Sequence, residues 1–367
     1  MRIFGLHGVL AADIVSLVMV VLVLSLTRRV SAFRSCPHGG WRTVPRRAYS
    51  KSNLQMMPEG PEVRSLIDYI DHSLCGSQEH YLVNASIYSG RYLEKNPTGW
   101  DILTHKIDGK PTLLKRVATK GKFIYFDFND DFYVWSTLGM TGGWTLSPHR
   151  RHIRFALNFH PAGSSSDVTL YYYDQRNFGT LKISESKEEL NAKLESLGAN
   201  WLDETAPSVE TFLILAGAAG KRKRPLCVFL MDQSKTSGIG NYVLSECLYR
   251  ARIHPFACTS EIDEDGWTSL HESITQVLGE SYESQRPVID EMTNTMSKNK
   301  HKRYSNSLFT FRIYSRSVTS DTGNPVIKTL GTHKRSVYFD PVTQTKFVPE
   351  GFDLEETKKM IIKKKKA

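Results

Sequence analysis

The stretch MPEGPEVRSLIDYI (57–70) decides how the rest of the chain is read. Val63, Leu66, Ile67, Ile70 and Leu74 recur at the spacing of one helix face, Pro61 suits the first turn and Gly76 the stop. One amphipathic helix is therefore predicted to begin just after Glu59. Its dipole and unpaired N-terminal amides would lie beside Pro58 and Glu59, a favourable place for phosphate or developing negative charge. Met57-Pro58-Glu59 looks like the opening of a protein, yet residues 1–56 precede it.

Those residues differ from the rest. Val9 to Thr27 is a nearly continuous apolar run interrupted by Asp13 and followed by Arg28-Arg29, which suits a secretory h-region or a marginal membrane span. From Ile14 to Pro58 there is no acidic residue, while Arg28, Arg29, Arg34, Arg42, Arg46, Arg47 and Lys51 are basic. This pattern resembles a transit peptide, and VSAFR (30–34) resembles the signal/transit junction of algae with secondary plastids. The expectation is a targeting extension over 1–56, removed or not translated. It implies an organelle, the plastid first and the mitochondrion second, or the nucleus if translation starts at Met57. A retained membrane anchor is the alternative.

The remainder has the composition of a folded protein, with 40% hydrophobic and 11% aromatic residues in a chain of 367. Lys and Arg total 48 against 38 Asp and Glu, a net charge of +10 that favours a polyanionic partner. The five cysteines form no C-x-x-C pair, which fits a reducing compartment and suggests neither a zinc ribbon nor a disulfide framework. From about His80 to Ser184, YLVNASIY, LLKRVATK, KFIYFDF, FYVWSTL, HIRFALNF, VTLYYYD and GTLKIS read as short strands of an antiparallel sandwich or barrel, with a hairpin turn at Asn129-Asp130-Asp131. A polar connector follows over 187–207. SVETFLILAGA, PLCVFLMD, NYVLSECLYRA and WTSLHESITQVLGESY then read as helices, two of them separated by QSKTSGIGN (233–241). Gly238 and Gly240 permit a tight turn there, and Asn241 is placed to cap the next helix. Read alone, Gly-x-Gly-Asn is only a helix connector.

Four stretches in order, MPEGPEVRSLIDYI (57–70), LGMTGG (138–143), DQRNFGTL (174–181) and LMDQSKTSGIGNYVLSECLYRARIHPF (230–256), resemble the formamidopyrimidine-DNA glycosylase/endonuclease VIII family. The resemblance runs from Met57 to about Gln344 and looks closer to the Nei-like branch. It implies an α+β multidomain fold: an N-terminal antiparallel β-sandwich over 57–186, a helix-two-turns-helix domain over 205–300, a finger over 308–344 and a basic tail over 345–367, with DNA crossing between the halves.

The resemblance also assigns roles. Pro58, exposed as the N-terminus, would attack C1′ of the damaged nucleoside as a secondary amine. An amide nitrogen cannot, because its lone pair is delocalised into the carbonyl. Glu59 would shuttle protons. Lys122, in TKGKFIYF on a strand, would contact phosphate and assist catalysis, with Lys120 as its rival in register. Base extrusion leaves a hole that Met140, Arg176 and Phe178 would fill, the Arg bonding the orphaned base. Asn241 would bind phosphate, helped by the amides of Gly238 to Gly240.

Bacterial relatives hold zinc in the finger, but no cysteine follows Cys258, so no metal is expected. FTFRIYSRSV (309–318) and RSVYFD (335–340) are predicted as two strands of a zincless finger, with Arg335 on phosphates and Lys334 as its rival. The basic stretch 292–307 would be a loop over the extruded base. The implied activity is a bifunctional DNA glycosylase/AP lyase that removes oxidised bases without a cofactor. The implied partner is damaged double-stranded DNA, single-stranded DNA being the second candidate, bound by a monomer with no obligate protein partner. The alternatives are a catalytically silent DNA-binding protein with Pro58 internal, and a membrane-anchored form.

Overall fold

Helix α1 (Gly60–Cys75) starts where the sequence places it, with Glu59 as N-cap and Pro61 in the first turn. The computed structural model describes residues 58–221, 223–293, 309–331 and 334–353, with backbone alone over 286–293, plus the backbone of two short strands at Phe33–Ser35 and Trp41–Thr43. The rest of the expected targeting extension lies outside the described residues, as do 294–307 of the expected base-covering loop, residue 308 at the start of the expected finger and 354–367 of the expected tail. Among the described residues no helix is long and apolar enough to cross a membrane. The chain forms two units, one built around 58–196 and 282–293, the other around 197–281 and the segments from 309 onward.

The first unit is an eight-stranded antiparallel system made of β1 (His80–Ile87), β2 (Thr112–Lys120), β3 (Phe123–Phe128), β4 (Tyr133–Thr137), β5 (Gly142–Thr145), β6 (Ile153–Pro161), β7 (Val168–Asp174) and β8 (Thr180–Ser184). The order is β8-β4-β3-β2-β1-β6-β7-β5. β2 and β1 pair only through Tyr81 opposite Leu113 and Leu82 opposite Thr112, and both strands carry a register shift beside that junction. Such bulges bend a sheet, so the eight strands fold into two layers of four, the expected sandwich. Phe126 and Phe128 from one layer meet Trp144 and Phe159 from the other, at ring separations of 5.0 and 6.5 Å. Val63, Ile67, Ile70 and Leu74 of α1 join the same core. The Asp71 carboxylate fixes α1 to β2 by accepting the Val117 N–H at 2.6 Å.

Two helices appear where none was expected. α2 (Trp100–Gly109) interrupts the β region and buries Leu103, and α3 (Lys187–Glu195) occupies the predicted polar connector. The second is short and mostly charged, so it shows little apolar periodicity. Its stabilising features are the Ser186 N-cap, whose hydroxyl accepts the Glu189 N–H at 3.0 Å, and the single buried Leu190.

The second unit contains α4 (Val209–Gly220), α5 (Leu226–Met231), α6 (Asn241–Ala251) and the first part of α7 (Glu264–Thr293). Phe212, Leu230, Leu244, Leu248, Trp267 and Ile274 lie in one core. α7 is longer than predicted: it begins in the second unit and ends in the first. The finger belongs to the second unit as well. Its antiparallel pair is β9 (Ile327–Leu330) with β10 (Ser336–Phe339), in the register Leu330 opposite Ser336. This corrects the sequence reading, which placed the first strand at 309–318. Residues 345–353, expected in the tail, fold back: Lys346 pairs with Ile253, and Phe352 packs 4.5 Å from the His254 ring.

Candidate functional site

At the start of α1, Pro58 is half-buried and Glu59 is 2% exposed. Glu59 and Glu62 form a capping box, and the Glu59 N–H donates to the Glu62 carboxylate at 3.0 Å. The other Glu62 oxygen accepts from Gln285 of α7 at 3.4 Å. Asp68, nearly two helical turns further along, accepts from Arg64 at 2.7 Å and from the Tyr282 hydroxyl. The backbone that carries Pro58 and Glu59 is thus held from within α1 and by the end of α7. None of this was read from the sequence, because the α7 contacts bridge more than two hundred residues.

Lys122 is not on a strand. It sits half-buried in the two-residue turn Gly121-Lys122 between β2 and β3, where Lys120 pairs with Phe123 and Gly121 has φ +60°. Glycine at the first central position is what such a hairpin turn requires. The rival Lys120 is committed elsewhere: its ammonium donates to the Leu194 carbonyl at 2.8 Å, at the C-terminal end of α3.

The loops carrying Met140 and Arg176–Phe178 are built as one object. Asp174, 1% exposed, accepts the Thr141 hydroxyl at 2.6 Å and the Arg176 N–H at 3.1 Å through Oδ1, and the Gly179 N–H at 2.8 Å through Oδ2. Gly139 has φ +62°, and a Cβ there would lie 2.7 Å from the Gly179 nitrogen. This locked turn brings Arg176 Nη1 to 3.6 Å from the Met140 sulfur and leaves Phe178 59% exposed. An apolar ring held out in water by a rigid turn is suited to insertion between bases. Asp174 was not singled out from the sequence, although a carboxylate before a tight turn is a known organiser of turn amides. Beneath the turn the Tyr172 phenol is buried, and burial together with the neighbouring Asp174 carboxylate raises its pKa.

In the second unit, Gly240 rather than Asn241 is the N-cap of α6, with φ −127°. Asn241 is the first helical residue, 7% exposed, and its Oδ1 is buried with no hydrogen-bond partner among the described residues. The Gly238 amide is not available to a phosphate, because it donates to Gln233 Oε1 at 3.1 Å, while Gln233 Nε2 donates to the Ile239 carbonyl at 2.8 Å. The Gln233 side chain therefore braces the turn from inside. Gly238 serves the geometry, with φ +90°.

Arg335 is exposed and is the last loop residue before β10, its carbonyl accepting the Gly331 N–H at 2.8 Å. Lys334 adopts φ +61° beside it. The finger is anchored by Glu246 of α6, fully buried, whose carboxylate accepts the N–H groups of Arg312, Ile313 and Tyr314 at 2.9, 3.0 and 2.9 Å. Those three bonds curl 312–314 into a turn, which is why no strand forms there. At the base of the finger Asp340 accepts from Asn324 at 3.0 Å and Thr343 at 2.6 Å, and Gln344 donates to the Ile253 carbonyl at 2.9 Å. Among the described residues there is no cluster of three His, Cys, Asp or Glu side chains that could hold a metal.

Residues 57–181 match the formamidopyrimidine-DNA glycosylase N-terminal domain, and residues 203–292 match the formamidopyrimidine-DNA glycosylase H2TH domain. The chain is 27% identical to the formamidopyrimidine-DNA glycosylase of Lactococcus lactis subsp. cremoris over 227 residues, covering 60% of this chain and 77% of the relative. It is 26% identical to that of Streptococcus pneumoniae strain R6 over 250 residues, covering 66% and 84%. Among solved structures it resembles the Lactococcus lactis enzyme bound non-covalently to DNA containing an abasic site, with TM-score 0.60 and 23% identity, covering 78% of this chain and 100% of that one. The complex of the Lactococcus lactis enzyme with DNA containing a formamidopyrimidine guanine has TM-score 0.61 and 22% identity, covering 78% and 99%. With both family domains present in order over more than half its length, the chain belongs to the formamidopyrimidine-DNA glycosylase/endonuclease VIII family.

Proposed function

We propose that this protein is a bifunctional DNA glycosylase and abasic-site lyase of base excision repair, with the Pro58 nitrogen as nucleophile. The observation that carries the reading is the match to the family's N-terminal domain from residue 57, and it is supported by Pro58 and the buried Glu59 standing side by side just ahead of α1. A neutral secondary amine adds to C1′ of the damaged nucleoside, the base leaves, and the resulting iminium acidifies the C2′ hydrogen so that the 3′ phosphate departs by β-elimination. Glu59 exchanges protons with the opening sugar and the leaving groups. Lys122, Asn241 and Arg335 bind phosphates flanking the lesion, while Met140, Arg176 and Phe178 occupy the space left by the extruded base. Damaged duplex DNA as the partner is supported by the relatives solved on such DNA. No cofactor enters any step.

Pro58 acts only when its nitrogen is free, so the active form begins at residue 58, through organelle import and trimming or through initiation at Met57 followed by methionine removal. The plastid is the favoured compartment because the basic, acid-free composition of residues 14–57 is joined by residues 30–34, which resemble the signal/transit junction of algae with secondary plastids. Borohydride reduction on DNA with an abasic site tests the reading. Protein beginning at Pro58 is expected to give a covalent adduct that Pro58→Gly abolishes. Binding without an adduct would favour the catalytically silent alternative.

A further inference from the structure

We propose that the turn Tyr88–Leu93 is a second contact surface of the first unit, packing against sugars and bases of the DNA strand opposite the lesion. The inference rests on the reading of Arg176 and Phe178 as the residues that meet the orphaned base. Among the described residues of this unit, the large hydrophobic side chains left exposed are Tyr88 at 51%, Leu93 at 65% and Phe178 at 59%. All three lie on two turns that the structure ties together. Arg91 donates to the Gly179 carbonyl at 2.5 Å and to the Tyr92 hydroxyl at 3.0 Å, and that hydroxyl accepts the Leu181 N–H at 2.9 Å. Arg154 spans both turns, donating to Ser89 Oγ at 2.9 Å and to the Asp174 carbonyl at 2.7 Å. Gly90, with φ +80°, passes so near that a Cβ there would lie 2.7 Å from Asn177 Oδ1.

The short 3-10 turn spends two arginines on fixing itself to the Phe178 loop, yet leaves Leu93 and about half of Tyr88, whose ring meets the edge of Tyr171 at 6.2 Å, in water beside Phe178. A ligand continuous with the one that receives Phe178 would cover the exposed parts of both side chains. The charge around them selects a polyanion: Arg91, Arg154 and Arg176 belong to the two turns and their clamp, and Arg150 is held 4.2 Å over the Tyr173 ring on the neighbouring strand. Because Arg176 faces the base that has lost its partner, the adjoining surface meets the strand carrying that base. Aromatic and apolar contacts of this kind tolerate any sequence, as a lesion scanner needs.

The test uses the full chain, since binding does not require a free Pro58 nitrogen. Equilibrium binding is measured to a duplex carrying a tetrahydrofuran abasic analogue, to the same modified strand alone, and to undamaged duplex, for wild type, Tyr88→Ser, Leu93→Ser and Leu93→Met. The serine variants are expected to bind the damaged duplex at least about five-fold more weakly while binding the modified single strand within about two-fold of wild type, with Leu93→Met restoring most of the loss. Equal binding of both substrates by all variants would overturn the inference, as would equal weakening on both, which would mark a merely structural role. If wild type itself shows no preference for damaged over undamaged duplex, the reading of Arg176 and Phe178 fails and this inference with it.

Discussion

Replacing Glu246 by alanine would release the finger from the helical unit. The carboxylate is fully buried and accepts three backbone N–H groups within 3.0 Å, one through Oε2 and two through Oε1. Burial raises the Glu246 pKa while the three amides and Arg250 pull it back towards the ionised form, in which hydrogen bonds to the carboxylate are each worth about 1.5–3 kcal/mol. Ile313 is buried and would leave its N–H unpaired, whereas Arg312 and Tyr314 are half-exposed and water replaces part of what they lose. The local cost of Glu246→Ala is therefore about 3–5 kcal/mol. Glu246→Gln keeps one oxygen for the Ile313 and Tyr314 amides but turns an NH2 toward the Arg312 N–H, so its cost is about 1–3 kcal/mol. Hydrogen exchange read by mass spectrometry on peptides covering 309–318 gives these numbers directly. A cost of about 3 kcal/mol corresponds to at least a hundredfold faster exchange in the alanine variant, with the glutamine variant between it and wild type. The helical core around Leu244 and Leu248 should stay protected. Exchange in 309–318 unchanged by Glu246→Ala would refute the claim that this carboxylate shapes the finger.

Gly179→Ala would place a methyl 2.4 Å from the Thr137 carbonyl and against the buried Tyr172 phenol, so it should displace the Phe178 turn and lower affinity for abasic-analogue duplex about tenfold or more; binding titration checks it. His254 is buried among Phe256, Phe339 and Phe352, and burial depresses its pKa to about 3. The unfolded chain therefore binds this proton first as pH falls below about 6.5, and stability present above that pH is lost toward pH 3. Between pH 7.5 and 5.5 the loss from this residue is about 1.4 kcal/mol, and denaturant titrations of wild type and His254→Gln should differ in pH dependence by that amount. Lys122→Ala should reduce adduct formation with little change in stability, whereas Lys120→Ala, which frees only the end of α3, should do the reverse; trapping and thermal unfolding separate the two.

The α1 face, eight of the ten strands β1–β10 and the helical second half were legible because their apolar spacing is regular. The exceptions have physical reasons. β5 is GGWT (142–145), four residues too few to show alternation and opened by two glycines. The finger strand β9 does alternate, with Ile327 and Thr329 buried and Lys328 and Leu330 exposed, but the aromatic run at 309–314 looked more strand-like until the distant Glu246 claimed its amides. At the candidate site, identities were readable and environments were not. Pro58, Glu59, Met140, Arg176 and Phe178 announced themselves as motifs, but that Gly238 has its amide filled by Gln233, and that Asp174 ties two loops together, are matters of tertiary hydrogen bonding.

The central chemical claim concerns one nitrogen. Protein beginning at residue 58 is incubated with an abasic-site oligonucleotide, reduced with borohydride, digested and sequenced by tandem mass spectrometry. The account predicts that the sugar remnant is attached to the N-terminal nitrogen of the peptide starting Pro58-Glu59-Gly60. Attachment to a lysine side chain, Lys122 included, would contradict it.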